Sequence, residues 1–315
     1  MNQRQLGKDG PIFSEIGLGT WAIGGPWDWG WGPQNDKDSI KTIQKALDLD
    51  INWIDTAAVY GLGHAEEIVG KALAGKREEV YIATKCGLVW NNKGHVKNNN
   101  RPESIIEEAE NSLRRLNTDY IDLYQIHWPH PNTPVEDSWE AMLRLKEQGK
   151  VRYIGVSNFD SILLEKCRTI CQVNSLQPPY SLLNRDVEEE ILPWCKNHEV
   201  GVVAYSPMQS GLLTGKFDKS HLAKNDWRHK SPYFKEPQLS KNLAFVEELR
   251  PIAEKYGKTV SQFAIAWVLM NPTVTSAIVG ARRPQQIEET AGGADFLIEP
   301  EDICLIDEIS ERICK

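Results

Sequence analysis

Short apolar runs alternate with amphipathic segments along almost the whole chain. The apolar runs are rich in β-branched residues and hold few polar positions, which is typical of strands buried on both faces of a parallel sheet. The segments between them place apolar residues three and four positions apart, which predicts helices. Eight strands are predicted: Glu15–Gly19, Trp53–Thr56, Val80–Lys85, Ile121–His127, Tyr153–Ser157, Val173–Gln177, Val202–Tyr205 and Ser276–Val279.

Eight strand–helix units in series predict an α/β fold, a closed (β/α)8 TIM barrel with helices outside a parallel sheet. A doubly wound open sheet is the competing architecture. The strand count favours the barrel, and no Ser-, Pro- or Gly-rich linker or shift in composition divides the chain. We therefore expect residues 1–315 to form a single barrel domain.

Local signals mark several helix ends. Pro102 and Pro284 each stand at the first position of a predicted helix, where a missing N–H costs nothing. The sequence TPVE at Thr133–Glu136 predicts a capping box, and Gly149 predicts the end of that helix.

Three segments lie outside this alternation. The sequence RQLGKDGPIF, before the first strand, predicts a β-hairpin turning around Lys8–Gly10, placed to cap the N-terminal mouth of the barrel. The stretches 22–36 and 208–239 are too long for ordinary connections. Both follow predicted strands, so we expect them on the carboxyl-terminal face, where barrel enzymes keep their active sites.

The composition and charge of the chain disfavour several classes of binding partner. A net charge of -8 and a pI near 5.5 disfavour nucleic acid and anionic membranes. No apolar run approaches the roughly 20 residues that cross a bilayer, and the N-terminus has no signal-peptide pattern. The six cysteines form no Cys-x-x-Cys pair, and only Cys167 and Cys171 fall four apart. A reduced, cytoplasmic protein is expected.

Four polar residues lie at or just past the ends of predicted strands: Asp55, Tyr60, Lys85 and His127. Together they can deliver a proton to a carbonyl oxygen. A lysine ammonium beside a tyrosine favours phenolate and lowers its pKa, a carboxylate keeps the lysine charged, and a histidine can orient the substrate oxygen. Metal binding is the rival use, but HExxH, His-x-His and clustered carboxylates with ligand spacing are absent from the sequence.

The glycines of Gly17–Ala22 (GLGTWA) invite comparison with a dinucleotide-binding fingerprint. That motif needs a helix to start within it and an acidic residue about 20 positions later. Here the chain continues into AIGGPWDWGWGPQ, which a helix does not tolerate. We therefore interpret these glycines as a strand end and a loop.

A series of segments resembles the landmarks of the aldo-keto reductase superfamily in the family's order. The segments are GLGTWAIGG, IDTAAVYGLG, ATKCG, RLNTDYIDLYQIHWPHP, GKVRYIGVSNF, LQPPYSLLNR, YSPMQSGLLTGK and IVGARRPQQIEE. They run from about residue 16 to 290 and are most similar to the bacterial branch of general-stress and inositol-linked enzymes. The resemblance implies a barrel that binds NADPH without a Rossmann motif.

The resemblance also implies roles for individual residues. Tyr60 would be the proton donor, supported by Lys85, Asp55 and His127. Ser157, Asn158 and Gln177 would hold the nicotinamide carboxamide, with the ring stacked on Tyr205. The other implied cofactor contacts are Thr20, Trp21, Ser206, Pro207, Met208, Gly211, Leu212, Lys216, Arg228, Gly280, Arg282, Gln286 and Glu289. A phosphate site after the seventh and eighth strands also agrees with barrel enzymes in general.

Arg282 and Arg283 bear on the cofactor, because two guanidinium groups there can grip a 2′-phosphate. They favour NADPH without excluding NADH. The chain departs from the family pattern at Ala65, where serine is common and caps a helix, and at Thr290, where an asparagine contacts adenine.

Tryptophans crowd the predicted strand-end loops. Of the 11 in the chain, we expect Trp21, Trp90 and Trp128 to line the substrate pocket, while Trp27, Trp29 and Trp31 serve equally well as packing for the first long loop.

The sequence thus predicts an NADPH-dependent reductase of a small aldehyde or ketone, working as a monomer or weak oligomer. One alternative is an NADPH-binding regulatory subunit of the potassium-channel β type. Those subunits carry asparagine where this chain has His127, which favours an enzyme. A third possibility is a barrel lyase or isomerase that uses Lys85 as a Schiff base.

Overall fold

The computed structural model describes residues 1–314, and its centre is a closed barrel of eight parallel strands. In chain order the strands are β1 (Gln3–Gln5), β2 (Ile12–Ser14), β3 (Ile16–Gly19), β4 (Trp53–Asp55), β5 (Tyr81–Cys86), β6 (Leu88–Trp90), β7 (Val96–Asn98), β8 (Ile121–Ile126), β9 (Val151–Ser157), β10 (Ser175–Gln177), β11 (Gly201–Ala204) and β12 (Val274–Gly280). The barrel order is β3, β4, β5, β8, β9, β10, β11, β12, and β12 pairs with β3 to close it.

The predicted barrel is confirmed, and each observed strand end lies within two residues of its predicted position. The largest shifts follow from pairing. β9 starts earlier than predicted because Val151 pairs with Ile121, and β12 because Val274 pairs with Val202.

Helices cover the outside of the barrel. They are α1 (Asp36–Asp48), α2 (His64–Ala72), α3 (Pro102–Leu116), α4 (Val135–Glu147), α5 (Ser161–Ile170), α6 (Ile191–Asn197), α7 (Gln238–Lys255), α8 (Val260–Met270), α9 (Pro284–Ala291) and α10 (Pro300–Cys314). Pro102 and Pro284 open α3 and α9 as predicted. Within residues 1–314, no helix has both the length and the apolar character needed to span a bilayer.

The capping box predicted at Thr133–Glu136 is wrong. α4 begins only after Pro134, and no side chain caps its first turn. The Thr133 hydroxyl precedes the N-cap position and lies 3.0 Å from His130 Nδ1 instead. At the other end Gly149 takes the left-handed conformation, with φ 72°, two residues past the helix, and so stops it as expected.

The antiparallel hairpin β1–β2 closes the N-terminal mouth of the barrel, as predicted. The Phe13 ring stacks on the Trp53 indole at a centroid distance of 4.6 Å and an interplanar angle of 3°, and both side chains are fully buried. Gly17 makes room for that indole, because a Cβ there would lie 2.1 Å from Trp53 Cε2. The Trp53 N–H donates to Ser276 Oγ at 3.0 Å, and this hydroxyl donates to the Ser14 carbonyl at 2.7 Å. The hairpin β1–β2, which we call the plug, is therefore packed against β4 and hydrogen-bonded to β12, the last barrel strand.

We expect Phe13→Ala to lower the free energy of unfolding by about 3–5 kcal/mol, because it empties a fully buried site against Trp53. Ile12→Ala is the matched control, since Ile12 adjoins Phe13 and is 52% exposed. Its expected effect is below about 1 kcal/mol. Urea unfolding followed by tryptophan fluorescence measures both, and equal losses would contradict the role of the plug.

Candidate active site

The four predicted side chains meet at the carboxyl-terminal face of the barrel. Asp55 ends β4, Lys85 lies in β5, and His127 follows β8, so these three come from adjacent strands. Tyr60 lies in the short connection from β4 to α2. Convergence follows from the topology, because the ends of neighbouring parallel strands share one edge.

Lys85 is the centre of the group. Its ammonium donates to Asp55 Oδ1 and Oδ2 at 2.8 and 2.7 Å, to the Thr56 carbonyl at 2.9 Å and to Tyr60 Oη at 3.3 Å. Three N–H bonds are therefore shared among four acceptors. Lys85 is 1% and Asp55 3% exposed, so the ion pair lies out of water.

This burial argues against Lys85 as a Schiff-base nucleophile. Burial lowers the Lys85 pKa, while the adjacent Asp55 carboxylate acts in the opposite direction. The nitrogen is nevertheless enclosed by its hydrogen-bond acceptors and is almost inaccessible. A carbonyl carbon has no open approach to it.

The expectation that Lys85 lowers the Tyr60 pKa is wrong for this state of the protein. Burial raises the pKa of Tyr60 well above its ordinary value, and the Asp55 carboxylate and then Tyr205 add to the effect. The physical reason is that Asp55 neutralises the ammonium that would favour phenolate. Tyr60 therefore keeps its proton at neutral pH and is held as a proton donor.

His127 stands edge-on to Tyr60, with ring centroids 5.8 Å apart and planes at 80°. Burial and then the Lys85 charge lower the His127 pKa well below its ordinary range, so the imidazole is neutral at neutral pH. Its backbone is fixed on both sides: its N–H donates to the Cys86 carbonyl at 3.0 Å, and its carbonyl accepts from Asn158 Nδ2 at 3.0 Å.

A hydrogen-bonded chain leads from Asp55 to the predicted nicotinamide residues. Gln177 Nε2 donates to Asp55 Oδ1 at 2.8 Å, and the Gln177 carbonyl accepts from Ser157 Oγ at 2.8 Å. Asn158 Nδ2 donates to Ser157 Oγ at 3.0 Å, and Asn158 Oδ1 accepts from Tyr205 Oη at 2.9 Å. The structure thus brings together the four side chains that the sequence assigned to this region.

Left-handed backbone follows the ends of β9 and β11. Asn158 has φ 62°, and Ser206, Gln209, Ser210 and Gly211 have φ of 56°, 45°, 52° and 99°. Several such residues in one turn are costly outside glycine and concentrate at functional sites. They can turn backbone N–H groups toward one concavity, which is the geometry that binds phosphate groups.

The residues predicted for the far end of the cofactor are already paired with protein groups. Lys216 lies 3.2 Å from Glu289, and Arg228 binds Asp226 through Nε at 3.0 Å and Nη2 at 2.8 Å. Leu212 is fully buried in a cluster with Phe234 and Leu239. Asp226 is a partner that the sequence analysis missed.

Arg282 ties the turn after β12 to the first long loop. Its Nε donates to Gln34 Oε1 at 2.8 Å, its Nη2 donates to the Pro33 carbonyl, and Gln34 Nε2 donates to the Arg282 carbonyl at 2.9 Å. Gln286 Oε1 accepts from the backbone N–H groups of Arg282 and Arg283 at 2.8 and 3.1 Å. The Arg283 side chain is exposed.

Two features leave room for a dinucleotide. The Thr20 hydroxyl is buried at the end of β3 without a hydrogen-bond partner in the described part of the chain. A Cβ built on Gly280 would meet nothing within 4 Å, so the end of β12 is open to a ligand. Together with the Tyr205 ring and the left-handed turn, these residues fit a nicotinamide dinucleotide. Across residues 1–314, no group of three or more His, Cys, Asp or Glu could hold a metal ion.

Trp21, which lies beside Tyr60, contacts one tryptophan from each of the two long loops. The Trp21 ring lies 6.5 Å from the Tyr60 ring, 5.5 Å from Trp31 and 5.1 Å from Trp227. We refer to Trp21, Trp31 and Trp227 as the tryptophan cluster. The sequence predicts Trp31 only as packing for the first long loop and indicates no partner for Trp227, which lies in the stretch 208–239. Nothing in their local spacing indicates that the two loops meet.

The other two predicted pocket residues lie in different surroundings. Trp90 ends β6, and the Arg115 guanidinium lies 5.8 Å from its ring centroid. Trp128 is 45% exposed. Of the three predicted pocket tryptophans, Trp21 is the one in ring contact with Tyr60.

A buried carboxylate behind β5 is a supporting feature that the sequence analysis missed. Glu66 is fully buried and accepts from Thr84 Oγ1 at 2.6 Å and from Arg115 Nε at 2.7 Å. Since Thr84 adjoins Lys85, this contact fixes the strand from its outer side. The first turn of α2 has no side-chain cap, but the N-cap position is Gly63, and Ala65 lies inside the helix as its second residue.

Thr290 is the second departure from the family pattern. Its hydroxyl donates to the Gln286 carbonyl at 2.8 Å within α9, and the residue is 7% exposed. The hydroxyl is therefore engaged inside the helix rather than presented to a ligand.

Comparison with known proteins bears on this site. The family model described as "Aldo/keto reductase family" matches residues 15–311. The aldo-keto reductase YhdN of Bacillus subtilis is 42% identical, over 99% of this chain and 94% of the relative. The NADH-specific methylglyoxal reductase of Escherichia coli is 35% identical, over 99% of each.

A solved structure of a protein with a similar sequence also has the same fold. The glycerol dehydrogenase AKR11B4 from Gluconobacter oxydans superposes with a TM-score of 0.90 at 41% identity, covering 99% of this chain and 95% of that one. A probable voltage-gated potassium channel subunit β of Arabidopsis thaliana matches at 33% identity, over 94% of this chain and 92% of that one. These three relatives named as reductases or dehydrogenases are thus more similar to this chain than this channel subunit is.

The family's members are oxidoreductases that act on carbonyl groups with a nicotinamide cofactor. Barrel, site geometry and sequence similarity agree over nearly the whole length, and this chain belongs to the aldo/keto reductase family.

Proposed function

We propose that this enzyme reduces a small aldehyde or ketone to the alcohol with NADPH, and that Tyr60 donates the proton. One observation carries the assignment of Tyr60: its phenol oxygen lies 3.3 Å from the Lys85 ammonium, which Asp55 holds in place. Tyr60 alone among the four combines a proton that stays bound at neutral pH with a position beside a fixed cation.

Each side chain then has a distinct task. Ser157, Asn158 and Gln177, with Tyr205 beside them, would hold a reduced nicotinamide, whose chemistry when bound would be hydride delivery to the carbonyl carbon. Tyr60 passes its proton to the carbonyl oxygen, and the Lys85 ammonium stabilises the phenolate that is left. The neutral imidazole of His127 donates an N–H to the same oxygen and so aligns it. Asp55 keeps Lys85 charged in spite of its burial.

The choice of NADPH rests on Arg283. Arg282 is committed to Pro33 and Gln34, whereas the Arg283 side chain is exposed next to the start of α9. Its guanidinium can bind a 2′-phosphate through charge-assisted hydrogen bonds. The related methylglyoxal reductase of Escherichia coli is named as NADH-specific.

We also infer a reducing, cytoplasmic compartment. Among the described residues the cysteines Cys86, Cys167, Cys171, Cys195 and Cys304 are free thiols. Thiols persist where the surroundings are reducing.

We expect Tyr60→Phe to lower kcat for carbonyl reduction by about 10²–10⁴-fold, because it removes the acid while keeping the ring. Tyr81→Phe is the matched control, since Tyr81 packs on Phe13 at the opposite mouth. Oxidation of NADPH followed by absorbance measures turnover, and quenching of tryptophan fluorescence measures cofactor binding. Near-wild-type turnover in Tyr60→Phe would rule out Tyr60 as the donor.

The raised pKa of Tyr60 and the lowered pKa of His127 predict that the rate of reduction does not change with pH near neutrality. Reduction needs protonated Tyr60, so its rate is lost only as the pH rises through the Tyr60 pKa, which burial raises above the ordinary 10.0. His127 stays neutral because its pKa lies below 6.5. We expect kcat/KM for reduction to be constant from about pH 7 to about pH 9. A decline with a midpoint inside that range would show that another group donates the proton.

We expect Arg283→Gln to raise the Kd for NADPH about 10–100-fold, the value of a charge-assisted hydrogen bond, and to change the Kd for NADH less than about twofold. Fluorescence titration with each cofactor measures both. Arg168→Gln is the control, because Arg168 pairs with Glu165 on the surface of α5. An equal change for the two cofactors would contradict 2′-phosphate recognition by Arg283.

A further inference from the structure

The tryptophan cluster contains hydrogen-bond donors that the protein does not use. The Trp21 indole N–H donates to the Trp29 carbonyl at 2.9 Å. The indole N–H groups of Trp27, Trp31 and Trp227 are buried and have no acceptor among residues 1–314. A buried donor without an acceptor has lost its bond to water and gained nothing in return. Two of these donors, on Trp31 and Trp227, belong to the cluster.

These two donors are connected to Tyr60 through the ring of Trp21. Trp31 meets Trp21 edge-on at 5.5 Å and meets Trp227 edge-on at 5.9 Å, and Trp227 lies 5.1 Å from Trp21. Trp21 in turn lies 6.5 Å from the Tyr60 ring. The Trp21 ring therefore lies between Tyr60 on one side and Trp31 and Trp227 on the other. A substituent that extends past Trp21 from a carbonyl held at Tyr60 would meet these two indoles.

The charges around the cluster are balanced. Lys85 is neutralised by Asp55 at 2.7 Å, and Arg228, whose guanidinium lies 4.6 Å from the Trp31 ring centroid, is neutralised by Asp226 at 2.8 Å. A carboxylate or phosphate on the substrate would meet cations that are already paired. A neutral hydroxyl group needs only a donor, which an indole N–H provides.

We propose that Trp31 and Trp227 determine specificity by donating their indole N–H groups to a hydroxyl oxygen on the carbon next to the substrate carbonyl. The site then selects neutral hydroxylated aldehydes and ketones over their alkyl analogues. The two indoles move apart to admit the hydroxyl, which restores the hydrogen bonds that they lack in this state. The inference rests on the proposed carbonyl reduction and assigns its substrate class.

The test compares hydroxyacetone with butanone, which replaces the hydroxyl by a methyl group at an equal number of heavy atoms. The measured quantity is the ratio of their kcat/KM values with NADPH. In Trp31→Phe and in Trp227→Phe, which keep an aromatic ring and lose the N–H, we expect this ratio to fall about tenfold, the value of one hydrogen bond. The intrinsic reactivity of the ketones cancels, because each variant is compared on the same two substrates.

Trp29→Phe is the matched control, since Trp29 belongs to the same loop and is 49% exposed. Its ratio should equal that of the wild type. NADPH titration of each variant checks that the fold and the cofactor site are intact. A second pair, glycolaldehyde and the anion glyoxylate, tests the charge argument, with the neutral compound expected to be the better substrate.

The outcomes separate this inference from the proposed function. If the wild type reduces these ketones but the ratio is unchanged in Trp31→Phe and Trp227→Phe, hydroxyl recognition by these residues is wrong while carbonyl reduction stands. A wild-type preference for glyoxylate would overturn the selection of neutral substrates. If the wild type with NADPH reduces none of the four carbonyl compounds, both proposals fail.

Discussion

The ion pair between Lys85 and Asp55 is the interaction on which the site depends. An ion pair this deeply buried is expensive, because both charges lose their hydration. It is tolerated here because both groups are hydrogen-bonded. Both carboxylate oxygens of Asp55 accept from Lys85, and Oδ1 also accepts from Gln177, while the ammonium donates in addition to the Thr56 carbonyl. Removing either charge alone would leave the other buried and unpaired. The pair therefore fixes the positions of β4, β5 and β10 relative to one another.

Tyr60 gains its chemical character from that pair. The net charge next to the phenol is close to zero, so burial dominates and the proton is retained. The ammonium is nevertheless fixed 3.3 Å from the oxygen and can stabilise a negative charge that forms there. An electrostatic arrangement of this kind acts on the developing charge without reorganising when it appears. Tyr60 can thus retain its proton before the reaction, and Lys85 can stabilise the Tyr60 phenolate after it.

Much of this could be predicted from the sequence, for identifiable reasons. Buried parallel strands leave continuous apolar runs, and polar residues at their ends stand out against them, which located Asp55, Lys85 and His127. The direction of the Tyr60 pKa could not be obtained in this way, because it depends on how completely Asp55 cancels Lys85 in three dimensions. The contact between Trp31 and Trp227 could not be predicted from the sequence pattern either, because it joins two loops almost 200 positions apart in the sequence.

The pairing of β12 with β3, which closes the barrel, has a consequence for biosynthesis. The Trp53 indole donates to Ser276, whose hydroxyl donates to the Ser14 carbonyl, so residues near the start of the chain depend on a partner made almost last. A nascent chain that has not yet reached β12 leaves an open sheet edge at β3 and unpaired polar groups in the plug. Contacts of such long sequence separation slow folding, because a large loop must close before they form. The edge of β3 and the Ser14 carbonyl can therefore gain these partners only after β12 has been synthesised.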